Sequence, residues 1–478
     1  MSAGKSSRKS AKIFAPDAVL TVAEFEQSAL RVADALRDRG VGYGDRVLLK
    51  ADNSIAYLST LFALMHLGTS VVLVDHQEKA DQTQRTTRQS GVKLVIVDDD
   101  APIAVGEQVV NTYELAVSAA GREPIDERLD FSAWEKLPDA LIMWSSGSTG
   151  VPKGVVKNGG RFLKNLQRNA DLVGHNSGDV LLPLLPFNHQ YGLSMVLISW
   201  LVGCSLVVAP YRRLDRALRI AGMTGATVVD AAPSTYRSIL NIVGKRPSAV
   251  GEFSNVRMLC SGAAPLEPGL VERAVETFGM PLLDSYGSTE MGNVAFATVD
   301  NPVGAGQAVE GLRLRITAED GAVLPAGEIG EIEVLDPDLM EGYLNADGAI
   351  EPVGRDWYKT NDFGYLDEHG NLFIAGRKMA VHRNGHTLHP EIIEHGLAAK
   401  GCVAKIVATP CERRGSSLTF FVQDEHGRDS GYWRELICSV LPPSEQPNRV
   451  SVLERFPLNR NGKFDRKQLE ALAVAEAA

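Results

Sequence analysis

The residues with the greatest chemical capacity sit together at Ser145-Ser146-Gly147-Ser148-Thr149-Gly150-Val151-Pro152-Lys153-Gly154. A short apolar run, Leu141 to Trp144, precedes them and reads as a strand. Glycines let backbone N–H groups approach phosphate oxygens closely, and hydroxyls and an ammonium add donors. The segment is not a Walker A loop, G-x-x-x-x-G-K-[ST]. Pro152 stands where the second Gly belongs, and Gly154 where Ser or Thr belongs. Taken alone, it is also open to reading as a flexible Gly/Ser turn.

Further motifs follow in order. They are Ser261-Gly262-Ala263-Ala264-Pro265-Leu266, Asp284-Ser285-Tyr286-Gly287-Ser288-Thr289-Glu290, Trp357-Tyr358-Lys359-Thr360-Asn361-Asp362 with Gly364, Gly376-Arg377, and Pro457 to Lys463 (P-L-N-R-N-G-K). With the phosphate loop, this series resembles the adenylate-forming superfamily of acyl-CoA synthetases, standalone adenylation domains and luciferases. The resemblance runs from about Thr21 to Leu469. Singly, Tyr286 and Thr289 would be structural, Glu290 a solvated charge, Asp362 a turn cap and Lys463 a surface lysine. The joint pattern reverses those readings.

The resemblance implies a ligase that joins a carboxylic acid to AMP and then passes the acyl group on. A carboxylate is a poor acyl donor, and a mixed anhydride gives it AMP as a leaving group. Catalysis of such a displacement is mainly positioning and charge neutralisation. Ser145, Ser146, Gly147, Ser148, Thr149, Gly150 and Lys153 would hold the ATP phosphates. Thr289 would donate to the α-phosphate, and Glu290 would ligate Mg²⁺. Tyr286 would stack on adenine, with Gly262, Ala263, Ala264, Ser285, Gly287 and Ser288 lining the nucleotide. Asp362 would accept the ribose hydroxyls, and Arg377 would help with ribose or pyrophosphate. Lys463 would bridge the attacking carboxylate and the α-phosphate.

Leu185-Pro186-Phe187-Asn188-His189-Gln190-Tyr191-Gly192 resembles the family's P-x-x-H-x-x-G segment, which lines the acid pocket. His189 is expected beside the carboxylate, with Gln190, Tyr191 and Gly262 around the acid. Gln190 stands where amino-acid-activating relatives usually place Asp, so a modest-sized acid is expected, with aromatic acids among the candidates. Asp230, ending an apolar strand, reads either as a reader of an amine or hydroxyl on the acid or as a strand-end cap.

The hinge departs from the family pattern. After Gly376-Arg377 it runs Lys378-Met379-Ala380-Val381-His382-Arg383-Asn384-Gly385, without the usual acidic pair. That leaves the acceptor open: CoA or a carrier protein's phosphopantetheine, or alternatively an amine. A non-catalytic nucleotide-binding homologue is the remaining alternative. His382, His386, His389, Glu391 and Glu394 read as a solvated hinge loop or, alternatively, as a metal cluster.

The elements that must position these loops change style along the chain. Thr21 and Glu24 form a capping box before a helix carrying Phe25, Ala29, Val32, Ala33 and Leu36. Short apolar runs alternate with helical patterns through about residue 300, the mark of a mostly parallel sheet buried on both faces. Alternating hairpin-like segments follow at Gly330 to Leu335 and Tyr365 to Ile374. The expected fold is α/β: a large domain over 1–376, β-rich from about 305, and a small mobile α+β domain over 377–478 carrying Lys463.

The net charge of −10 argues against a nucleic-acid partner. The longest apolar run, Met195 to Val202, is too short for a membrane span. The first residues, basic and Ser-rich, lack an apolar h-region and are expected to be a disordered leader over 1–15. The element usual before Thr21 is short, which suits a small standalone enzyme. Five cysteines without a C-x-x-C pair fit a reducing cytoplasm.

Overall fold

The computed structural model describes residues 10–103, 108–145, 152–377, 381–383, 386–411, 415–459 and 464–477. The chain divides into two compact units. One comprises 1–263, 269–313 and 335–357, the other 264–268, 314–334 and 358–478. The stretch expected to be β-rich from about 305 to 376 is thus shared between them.

Two sheets dominate the first unit. In the seven-stranded sheet, Leu282–Leu283, Met258–Ser261, Val228–Ala231, Val180–Pro183, Ser205–Val207 and Lys12–Phe14 lie side by side in parallel, with Val19–Thr21 antiparallel at the edge. In the eight-stranded sheet, Leu141–Ser145, Ser70–Leu73, Arg46–Lys50, Leu94–Val97 and Val109–Asn111 form the parallel part. Lys153–Lys157 turns back antiparallel on Leu141–Ser145, so these two strands pair as a hairpin. The continuous apolar runs are buried in the central strands, while Val19 and Val109 on the edge strands are exposed, and the α/β expectation is borne out.

The helix Val22–Asp38 starts at the capping box: Thr21 Oγ1 accepts from the Glu24 amide at 3.2 Å, and Glu24 Oε2 accepts from the Thr21 amide at 2.8 Å. Its Phe25 meets Phe62 of the helix Ile55–His66 edge-on at 5.1 Å, and Phe62 meets Trp200 at the same distance. Such contacts fix how helices seat on the sheets. The leader expected over 1–15 needs correction at its end. Lys12–Phe14 is a strand, and Ile13 is buried against the core. Its partner in the sheet lies almost two hundred residues along the chain, at Ser205–Val207. A local reading of polar composition does not contain that pairing.

In the second unit, Arg313–Thr317, Gly330–Leu335, Tyr358–Leu366 and Leu372–Arg377 form a four-stranded sheet. Ala404–Cys411, Gly415–Gln423 and Arg449–Leu453 form another, packed with the helices Pro390–Ala398, Ser430–Val440 and Arg466–Ala477. Among the described residues no helix is long and apolar enough to cross a membrane.

Candidate active site

The acid-pocket segment leaves the carboxyl end of Val180–Pro183 and enters the helix Gln190–Val202 at His189. Gly192 sits where an added Cβ would collide with the Pro186 carbonyl, so the turn closes only around glycine. Asn53 pins the segment from both sides. Its Nδ2 donates to the Leu185 carbonyl at 2.8 Å, and its Oδ1 accepts from the Phe187 amide at 2.9 Å. His189 Nε2 lies 3.7 Å from Asp75 Oδ2, just past the strand Ser70–Leu73. Burial opposes ionisation of Asp75. The His189 imidazole beside it, the hydrogen bond from the Gln77 amide at 2.8 Å and the Arg212 guanidinium outweigh it and hold that carboxyl at about 2.

Tyr191 turns toward the seven-stranded sheet, where its hydroxyl donates to Asp230 Oδ1 at 2.9 Å. Asp230 is inside the strand Val228–Ala231 and bonded across to another element, so the reading as a strand-end cap is corrected. Burial pushes its carboxyl up to about 7, against the Tyr191 hydrogen bond and with the added repulsion of Asp179. Oδ2 is buried without a hydrogen-bond partner. Gly262 lies against both Tyr191 and Ser285, and Ser285 Oγ donates to the Ser261 carbonyl at 2.8 Å. Ala263 takes a left-handed backbone, φ 69°, strained for a residue with a Cβ and common where a loop meets a ligand. Ala264 falls in the short segment that belongs to the second unit.

Ser285–Ser288 pairs antiparallel with Gly292–Phe296, and the register shifts between Tyr286 and Gly287. Tyr286 is buried. Thr289 and Glu290 occupy the tight turn between the strands, where the Met291 amide donates to Ser288 Oγ at 3.2 Å. A buried asparagine ladder fixes this turn to the helix Gly159–Val173. Asn165 Oδ1 accepts from the Asn293 amide at 2.9 Å, Asn165 Nδ2 donates to the Asn293 carbonyl at 2.9 Å, and Asn293 Nδ2 donates to Asn169 Oδ1 at 3.1 Å. Tyr343 joins the turn to the phosphate hairpin. Its hydroxyl donates to Glu290 Oε1 at 3.4 Å, and Lys153 Nζ lies 5.0 Å from its ring centre. Lys157, on the same strand as Lys153, is buried. Desolvation lowers its ammonium to about 8 against the attraction of Asp336 and Glu290.

In the second unit, Asp362 and Arg377 face each other in register on paired strands, with Arg377 Nε 2.9 Å from Asp362 Oδ1. Asp362 lies in a strand rather than a turn. The irregularity beside it comes from Asn361 at φ 57° and a register shift after Phe363. The hinge residues Glu391 and Glu394 are buried, which corrects the solvated reading. Glu394 holds Lys405 at 2.7 Å and the Ile406 amide at 2.7 Å, Glu391 lies 3.5 Å from Arg466, and His389 lies 3.5 Å from Glu319. The two hinge glutamates are thus met by an amine, a guanidinium group and an amide. Ser146, Gly147, Ser148, Thr149 and Gly150 lie outside the described residues, as do Lys378 to Ala380, Asn384, Gly385 and Lys463; so do the side chains of His382 and His386.

With this geometry established, known proteins give the context. The profile of the AMP-binding enzymes matches residues 2–344. The chain belongs to the AMP-binding enzyme family. It is 27% identical to the fatty acid–[acyl-carrier-protein] ligase ScoC of Streptomyces coeruleorubidus, across 94% of this chain and 91% of that one. It is 26% identical to a 2-succinylbenzoate–CoA ligase of Bacillus cereus, across 95% and 93%. The o-succinylbenzoate CoA synthetase of Bacillus subtilis, solved with its acyl-adenylate intermediate, superposes with a TM-score of 0.80 at 24% identity, across 96% and 94%. The adenylate-forming resemblance read from the motifs is borne out.

For this AMP-binding enzyme, the structure supplies positioning groups that the motifs did not name. Asn53 and Asp75 hold the His189 segment, the ladder of Asn165, Asn169 and Asn293 holds the Glu290 turn, and Tyr343 links Glu290 to Lys153. One signal was available in the sequence: Asn165 and Asn169, spaced i, i+4 on the inward face of an amphipathic helix, imply a polar partner inside.

Proposed function

We propose that this enzyme is an ATP-dependent carboxylic acid ligase that forms an acyl-adenylate and transfers the acyl group to the thiol of CoA or of carrier-protein phosphopantetheine. The observation that carries the reading is the Glu290–Tyr343–Lys153 group, which sets an oxygen donor for a cation beside an ammonium for phosphate. Glu290 offers the hard oxygen ligand that Mg²⁺ prefers, and the Tyr343 phenol engages its Oε1 only loosely, which leaves acceptor capacity for the ion. Bound there, Mg²⁺ supplies charge neutralisation on phosphate oxygens.

In the first step a carboxylate oxygen of the acid attacks the ATP α-phosphorus, and the bond to the bridging β-oxygen breaks. Pyrophosphate leaves with that electron pair. Thr289 donates to the α-phosphate, Ser145 and Lys153 with the rest of the phosphate loop hold the β- and γ-phosphates, and Lys463 offsets the charge shared by nucleophile and phosphate. Asp362, poised by Arg377, accepts the ribose hydroxyls. Tyr286, Ser285 and Gly262 border the adenine. His189, oriented by Asp75, flanks the carboxylate. In the second step the acceptor sulfur attacks the acyl carbon, its proton passes to solvent, and AMP leaves.

The small domain that carries Lys463 is taken as 377–478, turning at Arg377. The acid proposed is modest-sized, with aromatic acids among the candidates; the relatives named for 2-succinylbenzoate, an aromatic acid, support that reading, while ScoC is named for a fatty acid. An amine acceptor is the second reading, favoured by the hinge sequence Gly376-Arg377-Lys378-Met379, which lacks the acidic pair.

Acid-dependent exchange of labelled pyrophosphate into ATP tests the first step. Lys463→Ala is expected to lower the exchange rate about 10²–10³-fold. Exchange at the unaltered rate removes Lys463 from the mechanism. Offering the trapped adenylate to CoA, carrier proteins and amines in turn decides the second step.

A further inference from the structure

We infer that Asp230 and Tyr191 together select compact acids that carry a hydrogen-bond donor, an amino or hydroxyl group, and reject acids with a second carboxylate. The inference rests on the adenylation reading above and names the class of acid.

The Asp230 carboxyl is 2% exposed, and its two oxygens have different fates. Oδ1 accepts the Tyr191 hydroxyl at 2.9 Å, while Oδ2 is buried with no partner. The other nearby phenol is committed elsewhere: the Tyr236 hydroxyl donates to the Val229 carbonyl at 2.7 Å and approaches the Cys260 carbonyl at 2.9 Å. Next to Tyr191 in the chain, Gln190 repeats the pattern. Its Nε2 donates to Ser194 Oγ at 3.3 Å, and its Oε1 is buried without a partner. Two elements of the acid-pocket region, the His189 segment and the Asp230 strand, therefore each bring an unfilled acceptor.

An unfilled buried acceptor is costly, and a strand in this position could hold Val or Leu without that cost. A ligand donor removes the cost when it arrives. Placement agrees, because Tyr191 touches Gly262, and Gly262 touches Ser285 of the nucleotide segment. The pair thus stands where the acid's body would extend from the adenylate.

Charge decides the rest. Among the described residues, the charge that reaches Asp230 is the carboxylate of Asp179, itself paired with Arg257 at 2.7 Å. Tyr191, Tyr236 and Cys260 complete the titratable surroundings. The guanidinium among them, Arg257, is committed to Asp179 through both Nε and Nη2, and the others supply no cation for a second carboxylate on the substrate. An amino group, protonated or not, or a phenol finds an acceptor. This sets the chain apart from its relatives named for 2-succinylbenzoate, an acid with two carboxyl groups.

Pyrophosphate exchange with a panel of acids tests the inference. The panel is benzoate, its three amino and three hydroxy isomers, phthalate, 2-succinylbenzoate and octanoate. At least one amino or hydroxy isomer is expected to exceed benzoate in kcat/KM about 10- to 100-fold, with the two dicarboxylates below benzoate. Asp230→Ala is expected to shrink that ratio to about threefold or less, and Tyr191→Phe to shift it in the same direction. A ratio unchanged in Asp230→Ala, or a dicarboxylate as the best acid of the unaltered enzyme, overturns the inference while exchange itself upholds adenylation. Exchange with no acid of any class overturns both. If Asp230→Ala fails to fold, as circular dichroism would show, the isosteric Asp230→Asn takes its place. Asp230→Asn must then change the rank order of the amino and hydroxy isomers, and an unchanged order rejects the proposal.

Discussion

Asp230 and Asp362 are both nearly sealed from water, 2% and 6% exposed, yet the fold treats them oppositely. Asp362 faces a guanidinium at 2.9 Å, on a strand whose irregular backbone holds it there. Asp230 has one phenol, an unfilled oxygen and a pKa pushed to about 7 by burial. A buried carboxylate is tolerated only when paired, or when it can give up its charge. On the proposed reading, the difference tracks what each must meet. The ribose is the same in every turnover, so its acceptor can be fixed against a guanidinium partner. The acid's substituent is what the enzyme must judge, and an uncommitted carboxyl discriminates by being costly until a donor arrives.

The largest effect should come from the fixed side. Glu290→Gln keeps the shape and the Tyr343 contact but removes the charge. The exchange kcat/KM is expected to drop about 10²–10³-fold, with the Mg²⁺ needed for half-maximal rate rising at least tenfold. A titration of rate against Mg²⁺ checks both, and an unmoved half-maximal concentration would take Glu290 out of the metal site. Asp362→Asn comes next. It leaves Arg377 facing an amide and weakens the ribose acceptor, so KM for ATP should rise about 10- to 100-fold. Arg377 is largely exposed, so the stability loss should stay near 1 kcal/mol after solvent screening. A larger loss, read from urea midpoints, would make Asp362 mainly structural.

The open side predicts the reverse sign. The folded-state pKa of Asp230 is raised from 3.8 to about 7. The folded protein therefore binds the proton more tightly than the unfolded chain, and stability falls as pH rises between those values. The penalty is absent at low pH and complete above about 7. A rise of that size corresponds to a ceiling of about 4 kcal/mol, and relaxation around the site should leave about 1–2 kcal/mol. Asp230→Asn should thus be more stable than the parent at pH 8 and equal to it near pH 4. Thermal melts at the two pH values decide it, and a variant less stable at pH 8 would show that the carboxylate is well paired.

How much of this can be read from the chain depends on the range of each interaction. Gly192 and Gly262 declare themselves because close neighbours restrict what can stand there. The capping box at Thr21 and Glu24 is legible for the same reason: both partners lie within one helical turn. Asn53 and the Leu185 carbonyl are 132 positions apart, and Asn165 and Asn293 are 128 apart. No local pattern ties such partners together. The edge strand Lys12–Phe14 is hidden equally, since its place depends on a strand far along the chain. Asp230 lies between these cases. Its position at the end of an apolar strand marks it as unusual, but whether its carboxyl is capped, paired or open depends on the phenol of Tyr191.

The smallest effect sharpens the contrast most. Tyr343 touches Glu290 through its hydroxyl and Lys153 through its ring. The 3.4 Å hydroxyl contact is long for an O–H donor to a carboxylate, and such a bond contributes little net energy. The cation–ring contact is worth about 0.5–1 kcal/mol at a partly exposed site. Tyr343→Phe removes the first and keeps the second, whereas Tyr343→Leu removes both. If Tyr343 serves mainly to seat Lys153, Phe should change the exchange kcat/KM less than about twofold and Leu about three- to fivefold, expressed in KM for ATP. If it serves mainly to aim Glu290, Phe should already raise the Mg²⁺ requirement about two- to threefold, and Leu should add little. The fixed side of the site is already held by the asparagine ladder, so losing one contact there should relax the geometry only slightly. Equal and large losses in both variants, with a lower melting temperature, would mean that Tyr343 supports the hairpin itself and that the corner is less rigid than its hydrogen bonds imply.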